Sequence, residues 1–318
     1  MTDISANQKL ILISGPTASG KTDLAMDLAR DLPVDIISVD AAQVYRGMNI
    51  GTAKPDAQTL ENFPHYLIDI RDPEESYSAA DFQQDAVARI ERSFASNRQP
   101  VLVGGSMFYF SALINGLSGL PASNQTIRAE LKAEAEQLGL PALHQKLQII
   151  DPELAERIRL TDPQRLMRAL ELARITGEKP SVLMQRCQPR PCPWPYLHFT
   201  LFDQDRRCLH LRIQQRYELM LHNGLIDEVR GLKQRPGLNA NSTSMRTIGY
   251  RQVWSYLDSE CSKEEMLDQA VAATRQLAKR QLTWIRNTSG IVWLDALFAG
   301  KKDLLLHFLK ENRFPFVV

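Results

Sequence analysis

Little in this sequence stands out by excess. Its four cysteines, Cys187, Cys192, Cys208 and Cys261, form no C-x-x-C pair, and its six histidines hold no ligand spacing around them. That sets aside a disulfide scaffold and a zinc site, and leaves reduced thiols in a cytoplasmic protein as the expectation. An excess of charge of one sign is also missing. The 38 basic and 37 acidic residues leave a net charge of +1, so a polyanionic partner has to be met by local patches and not by the overall field. No apolar run approaches the ~20 residues of a membrane span, so no membrane association is expected. The opening "MTDISANQKLILIS" lacks a basic region followed by a long apolar stretch and a cleavage site, and no signal peptide is expected. Internal repeats and low-complexity segments are absent as well. What is left is a globular composition, 44% hydrophobic and 24% charged over 318 residues, long enough for two lobes.

Strand and helix patterns alternate through the first third. "KLILISG" (9–15) reads as a short buried strand, 22–31 as a helix, "VDIISVD" (34–40) as a second strand and "HYLIDI" (65–70) as a third. "SAADFQQDAVARIERSFA" (78–95) predicts an amphipathic helix capped by Ser78, followed by the strand "VLVGG" (101–105) and another helix. This rhythm predicts an α/β fold of the P-loop NTPase type, a parallel sheet with helices on both faces and ligands at the carboxyl ends of the strands. From about residue 120 the rhythm breaks into helices at 126–138, 142–150, 152–158 and 163–176, the last with Asp162 as N-cap, Pro163 in the first turn and Gly177 as terminator. The proline-rich "CQPRPCPWP" (187–195) leads back to a strand at 198–203, then to helices at 205–222, 224–234, 247–257 and 263–286, a strand at 290–295 and a short terminal helix. The sheet is therefore expected to be split, with 1–120 and 196–318 forming the core and 121–195 a helical insertion domain.

"GPTASGKT" (15–22) matches G-x-x-x-x-G-K-[ST] at each fixed position and sits between strand and helix, the context that such a nucleotide-binding loop requires. Its backbone N–H groups converge on phosphate oxygens, Lys21 adds a positive charge, and the Thr22 hydroxyl is placed to ligate Mg²⁺. ATP hydrolysis further needs an apolar strand ending in Asp. Asp40 and Asp69 both qualify, while the strand that best fits the expected place ends in glycines, and no adenine-reading segment is evident. Asp40 closes the strand after the loop's helix and is a candidate metal ligand or general base.

Two stretches concentrate basic charge. Residues 157–190 carry Arg157, Arg159, Arg165, Arg168, Arg174, Lys179, Arg186 and Arg190 against Asp162, Glu171 and Glu178, and "TRQLAKRQLTWIRN" (274–287) carries no acid at all. At about 100° per residue, Arg275, Lys279 and Arg286 share one stripe of a helix. A basic stripe beside a phosphate pocket points to a nucleic-acid partner.

Taken in order, "GPTASGKT", "ISVDAAQVYRGMNIGTAKP", "HYLIDIRDP", "YSAADF", "VLVGGSMFYFSALINGL", "DPQRLMRALE", "SMRTIGYRQ" and "TRQLAKRQLTWIR" resemble the tRNA dimethylallyltransferases, also called tRNA isopentenyltransferases, of bacterial type, over about residues 9–295. The resemblance implies transfer of a dimethylallyl group from dimethylallyl diphosphate to the exocyclic N6 amine of adenosine 37, beside the tRNA anticodon, with release of diphosphate and Mg²⁺ as cofactor. It implies Asp40 as catalytic base, with Lys21 and Thr22 completing the catalytic set. Diphosphate contacts map to Gly15, Pro16, Thr17, Ala18, Ser19, Gly20, Lys21 and Thr22, with Arg212 and Arg216 as further anion contacts. Contacts to the tRNA anticodon stem–loop map to Asp40, Ala41, Ala42 and Gln43, to Ser106 and Arg128, and to Gln164, Arg165, Leu166, Met167 and Arg168. Further along they map to Met245, Arg246, Thr247, Ile248, Gly249 and Tyr250, then to Arg275, Ala278, Lys279, Arg280, Gln281, Leu282, Thr283, Trp284, Ile285 and Arg286. The chain is taken as a monomer. It departs from the family's common pattern at Ala41 (Ser), Ser106 (Thr) and Asn49 (Asp), and it carries no zinc-finger segment. Two other readings stay open on the residues alone, a small-molecule P-loop kinase and a nucleotide-gated RNA-binding protein without chemistry.

Overall fold

A computed structural model describes residues 8–203, 205–312 and 314; residues 1–7, which open the segment read for a signal peptide, lie outside them. The chain divides into two compact units, 1–114 with 192–318, and 115–191.

The first unit carries β1 (Leu10–Ser14), α1 (Lys21–Asp31), β2 (Val34–Val39), α2 (Ala57–Asn62), β3 (His65–Tyr66), α3 (Ala79–Ala95), β4 (Gln99–Gly104) and most of α4 (Met107–Asn115). The second holds α5 (Gln125–Ile150), α6 (Pro152–Arg157), α7 (Pro163–Thr176) and α8 (Pro180–Arg186). The first unit then resumes with β5 (Tyr196–Phe202), α9 (Arg206–His222), α10 (Leu225–Lys233), α11 (Tyr250–Leu257), α12 (Lys263–Arg286), β6 (Ile291–Asp295) and α13 (Lys301–Glu311).

All six strands are parallel, in the order β3-β2-β4-β1-β5-β6. Each residue of β1 is buried because helices cover both faces of the sheet. Strand alternation sorts its side chains: Leu10 and Leu12 enter a core with Phe82, Phe110 and Val253, while Ile11 and Ile13 enter another with Leu24, Leu28, Leu305 and Leu309. The N-cap of α3 is Ser78, in a reciprocal capping box with Asp81.

Several elements differ from the sequence expectation. The third strand stops at Tyr66, because Leu67 and Asp69 take left-handed φ values of 64° and 54°. Helices α2 and α8 have no counterpart in the sequence expectation. The predicted helix at 247 begins only at Tyr250, after Gly249 at φ 94°. In the second unit, the expected helices at 126–138 and 142–150 run as one element with a break at Gly139, whose φ 80° and ψ 159° are not helical. There α7 has the predicted Asp162 cap and Gly177 terminator, at φ 69°. Leu131, Leu143, Leu147, Leu154, Leu166 and Leu170 pack its core.

The basic stretch of the second unit is less cationic in space than in sequence. Arg157 pairs with Glu153, Arg165 with Asp162, Arg174 with Glu130 and Glu134, and Arg186 with Glu178. Several of those acids lie outside the 157–190 window. Arg128 and Arg168 both bind the buried Glu171 carboxylate, at 3.1 and 2.7 Å, and the Asn124 amide donates to it at 2.8 Å. Burial alone would raise the Glu171 carboxyl, but Arg168, the Asn124 amide and Arg128 together hold it below the usual carboxylate range. Arg128 and Arg168 thus spend part of their hydrogen-bonding capacity inside the domain.

Candidate active site

The site gathers at the carboxyl ends of β1, β2 and β4. Between β1 and α1 the phosphate loop is held by its own atoms and by the sheet. Gly15, at φ 155°, lies so close to the chain that a Cβ would stand 2.5 Å from the Leu201 carbonyl oxygen. Gly20 caps α1 at φ 80°. Lys21 Nζ donates to the Pro16 carbonyl at 2.6 Å and to Ser19 Oγ at 3.3 Å. Burial first, and then the nearby Arg216 guanidinium, push the Lys21 ammonium down to about 7, with Asp40 pulling the other way.

Asp40 follows β2. Its Oδ1 accepts the backbone N–H of Ala42 at 2.8 Å and of Gln43 at 3.1 Å, which fixes the carboxylate's orientation. The Ala41 N–H donates to Ser106 Oγ at 3.2 Å and ties this turn to the end of β4. Strand β4 lies between β1 and β2, the place where a metal-binding Asp is expected, and it ends in glycines for a steric reason. A Cβ on Gly104 would come within 2.0 Å of the Val39 carbonyl oxygen, and one on Gly105 within 2.6 Å of Gln281 Nε2. Asp69, the other candidate carboxylate, is bound to Lys54 at 2.6 Å and lies outside the cavity lining.

Helix α12 closes the arrangement. Thr17 N–H donates to Gln281 Oε1 at 3.0 Å, and Gln281 Nε2 donates to the Gly105 carbonyl at 2.8 Å. One amide side chain therefore clamps the phosphate loop to the end of β4. Residues Ile213, Arg216, Tyr217 and Met220, spaced i, i+3, i+4, i+7 on α9, form another wall. Burial lowers the Arg216 guanidinium from its ordinary value, and Asp40 opposes that.

These elements enclose a cavity of about 670 Å³. Its lining combines Thr17, Ala18, Lys21, Thr22, Asp40 and Arg216 with Tyr77, Met107, Tyr109, Ile213, Tyr217, Met220 and Leu277, and Phe108, Arg246, Arg280 and Trp284 also line it. The tyrosine hydroxyls are already engaged, Tyr109 with the Tyr77 carbonyl at 3.1 Å, Tyr217 with Thr274 at 3.0 Å and Tyr77 with Asp85 at 3.1 Å. With those hydroxyls engaged, the rings join Met107, Ile213, Met220 and Leu277 as the apolar share of the lining, which suits a ligand with an anionic head and a short apolar body.

Comparison with known proteins agrees with that shape. The family model described as IPP transferase matches residues 43–288. A tRNA dimethylallyltransferase of Hahella chejuensis is 48% identical over 309 residues, 93% of each chain. The chain belongs to the IPP transferase family. The solved tRNA isopentenylpyrophosphate transferase of Bacillus halodurans matches with a TM-score of 0.70 and 37% identity over 96% of this chain and 98% of that one. A eukaryotic dimethylallyltransferase acting on tRNA matches with a TM-score of 0.82 and 25% identity, over 97% and 80% of the two chains.

Within this IPP transferase fold the residues expected from sequence separate into groups. Thr17, Ala18, Lys21, Thr22, Asp40, Ala41, Ala42, Gln43, Ser106, Arg216, Arg246, Thr247, Ile248, Arg280, Gln281 and Trp284 line the cavity. Gly15, Pro16, Ser19 and Gly20 shape the loop and are not in the lining. Arg212 is not there either, because its guanidinium pairs with Asp203. Leu166, Met245, Tyr250, Ala278 and Ile285 are buried in the core, so their side chains support these segments and cannot reach a partner. The basic stripe points away from the cavity. Arg275, Lys279 and Arg286 lie roughly 170° around α12 from Trp284 and Leu277, and none of the three lines the cavity.

Sequence reasoning missed Glu228, in the first turn of α10. Its carboxylate accepts the backbone N–H groups of Asn49, Ile50 and Gly51 at 2.9, 2.8 and 3.2 Å, and the Tyr250 hydroxyl at 2.5 Å. The loop so held presents Gly51, Thr52 and Ala53 to the cavity. Gly51 has no room for a side chain, since a Cβ would meet the Tyr250 ring at 2.5 Å. Replacing Glu228 by Ala strips these donors of their acceptor, and urea unfolding should show a loss of about 1.5–3 kcal/mol. The Tyr250→Phe variant, which deletes a single bond, should lose about 1 kcal/mol.

Proposed function

We propose that this chain transfers the dimethylallyl group of dimethylallyl diphosphate to the exocyclic N6 amine of adenosine 37 in tRNA, next to the anticodon, and releases diphosphate. The observation that carries this reading is a cavity whose lining joins a phosphate loop, the carboxylate of Asp40 and apolar side chains. In the reaction the N6 lone pair bonds to the allylic C1, the C1–O bond breaks with its electron pair going to the diphosphate, and N6 loses a proton. Asp40, oriented by the Ala42 and Gln43 amides, takes that proton. Lys21, Arg216 and the loop amides stabilise the charge that grows on the leaving diphosphate. An adenine inside a stacked loop cannot reach Asp40, so the base has to be flipped out into the cavity.

Thr22 suits Mg²⁺ in a particular way. Among the described residues no group of three or more His, Cys, Asp or Glu could hold a metal, whereas a hydroxyl beside a diphosphate offers the sparse oxygen set that Mg²⁺ accepts when phosphates complete its shell. Thr22 Oγ1 would hold the ion, which when bound supplies further charge neutralisation of the diphosphate.

The tRNA partner is supported by the cavity's charge. Its lining contains Lys21, Arg216, Arg246 and Arg280 against one carboxylate, Asp40. Arg246 and Arg280 are exposed and have no ion-pair partner among the described residues. Replacing either by Ala should weaken every tRNA alike and flatten the log–log salt dependence by about 0.7–1 unit, read from binding at several ionic strengths. The same change at Lys279, on the far side of α12, should move it less. No helix among the described residues is long and apolar enough to cross a membrane.

The test of the function is incubation with unmodified tRNA and labelled dimethylallyl diphosphate in nucleotide-free buffer. Label should pass to RNA in the presence of Mg²⁺. A strict need for ATP, or phosphate transfer from ATP to a small acceptor, would restore the kinase reading.

A further inference from the structure

Phe108 and Trp284 are out of character with their surroundings. Phe108 belongs to the first turn of α4, where Met107, Tyr109 and Phe110 are buried, yet it is 56% exposed. Trp284, near the end of α12, is 45% exposed. The two rings meet edge to face, with centroids 6.4 Å apart and planes at 69°. Both line the cavity, and Phe108 stands two residues beyond Ser106, whose hydroxyl holds the turn of Asp40. Arg280 lies one helical turn before Trp284 on the same side and is exposed.

Packing does not require this pair, since its partners in the fold are already inside. Nor do the rings serve the diphosphate, which belongs with Lys21 and the loop. Their edge-to-face pose leaves aromatic surface open to solvent, beside the Arg280 guanidinium, which has no ion-pair partner among the described residues. A ligand that fits both has a flat apolar face and an anionic backbone, as single-stranded RNA does. A protein or a second copy of this chain would have to bring acidic groups to the same cations.

We propose that Phe108 and Trp284 form a stacking platform that holds the nucleobase adjacent to the one entering the cavity, and so keeps the anticodon loop unstacked while the target amine faces Asp40. This rests on the tRNA reading above. The platform acts on RNA geometry and takes no part in bond making.

The experiment measures the affinity of an anticodon stem–loop RNA for Phe108→Ala, Trp284→Ala and the double variant, with Phe108→Tyr and Trp284→Phe as ring-preserving controls. Each Ala variant should bind roughly 5- to 100-fold more weakly. The salt slope and the affinity for dimethylallyl diphosphate should stay unchanged, and the latter also shows that the fold is intact. The ring-preserving variants should stay within about threefold of wild type. An RNA made abasic at the position flanking the target adenosine should cost wild type the same factor and the Ala variants nothing more. Wild-type transfer to RNA with Ala variants that bind like wild type would overturn the platform and leave the function standing. Absence of any RNA binding or transfer by wild type would remove both. Self-association that the double variant abolishes, with RNA affinity intact, would give the face to a second copy of the chain and overturn the proposal.

Discussion

Asp40→Asn should slow transfer by about 10²–10⁴ while both substrates still bind. Asparagine keeps the oxygen that accepts the Ala42 and Gln43 amides at 2.8 and 3.1 Å, so the turn after β2 and its tie to Ser106 should survive. What is lost is the ability to take a proton. Single-turnover transfer of labelled prenyl group, set beside the dissociation constants of tRNA and donor, separates the two effects. A variant that turns over at a near-normal rate, or one that fails to bind tRNA at all, would end the assignment of Asp40 as base.

Lys21→Ala should reduce the single-turnover rate by about 10²–10³, more than it weakens donor binding, because negative charge on the leaving diphosphate increases toward the transition state. The lysine also gives the reaction a pH signature. With its ammonium pushed down to about 7 by burial and Arg216, Lys21 is mostly charged below that pH and loses its proton above it. An anionic donor favours the charged form, so binding above pH 7 should take up a proton, and donor affinity should fall by up to about tenfold per pH unit. Titration calorimetry in buffers of different ionisation enthalpy reads this directly. Lys21→Ala should abolish the limb above pH 7. A wild-type affinity that is flat from pH 7 to 9, together with a Lys21→Ala variant that binds donor as tightly as wild type, would show that the diphosphate does not sit on Lys21.

How much of this was legible in the sequence depends on the range of the interaction concerned. The strand and helix order of the first unit rests on patterns a few residues long. The phosphate loop, the helix after it and the Ser78, Asp162 and Gly177 caps are all local chemistry. The shortened third strand was not legible, because the left-handed backbone at Leu67 and Asp69 has no glycine to announce it. The charge count over 157–190 overstated a basic surface for a related reason: Glu130, Glu134 and Glu153 sit outside that window and neutralise Arg174 and Arg157 across the helices.

The site itself divides along the same line. The sequence by itself determined that a phosphate-binding loop follows a buried strand, that Asp40 closes the next one, and that basic side chains and a tryptophan crowd α12. Only the tertiary structure decided which side of α12 meets the cavity, since helical spacing makes a stripe visible without saying which way it points. It placed Gln281 between Thr17 and Gly105, a contact spanning 264 residues of sequence on one side and 176 on the other. It made Glu228 the acceptor for a loop nearly 180 residues away, and it left Phe108 outside while its neighbours went in. Periodicity and capping act within a turn or two of chain. A cavity built from the carboxyl ends of three parallel strands and the faces of two later helices exists only once the sheet order is set, and that order follows from how whole elements bury their apolar faces against one another.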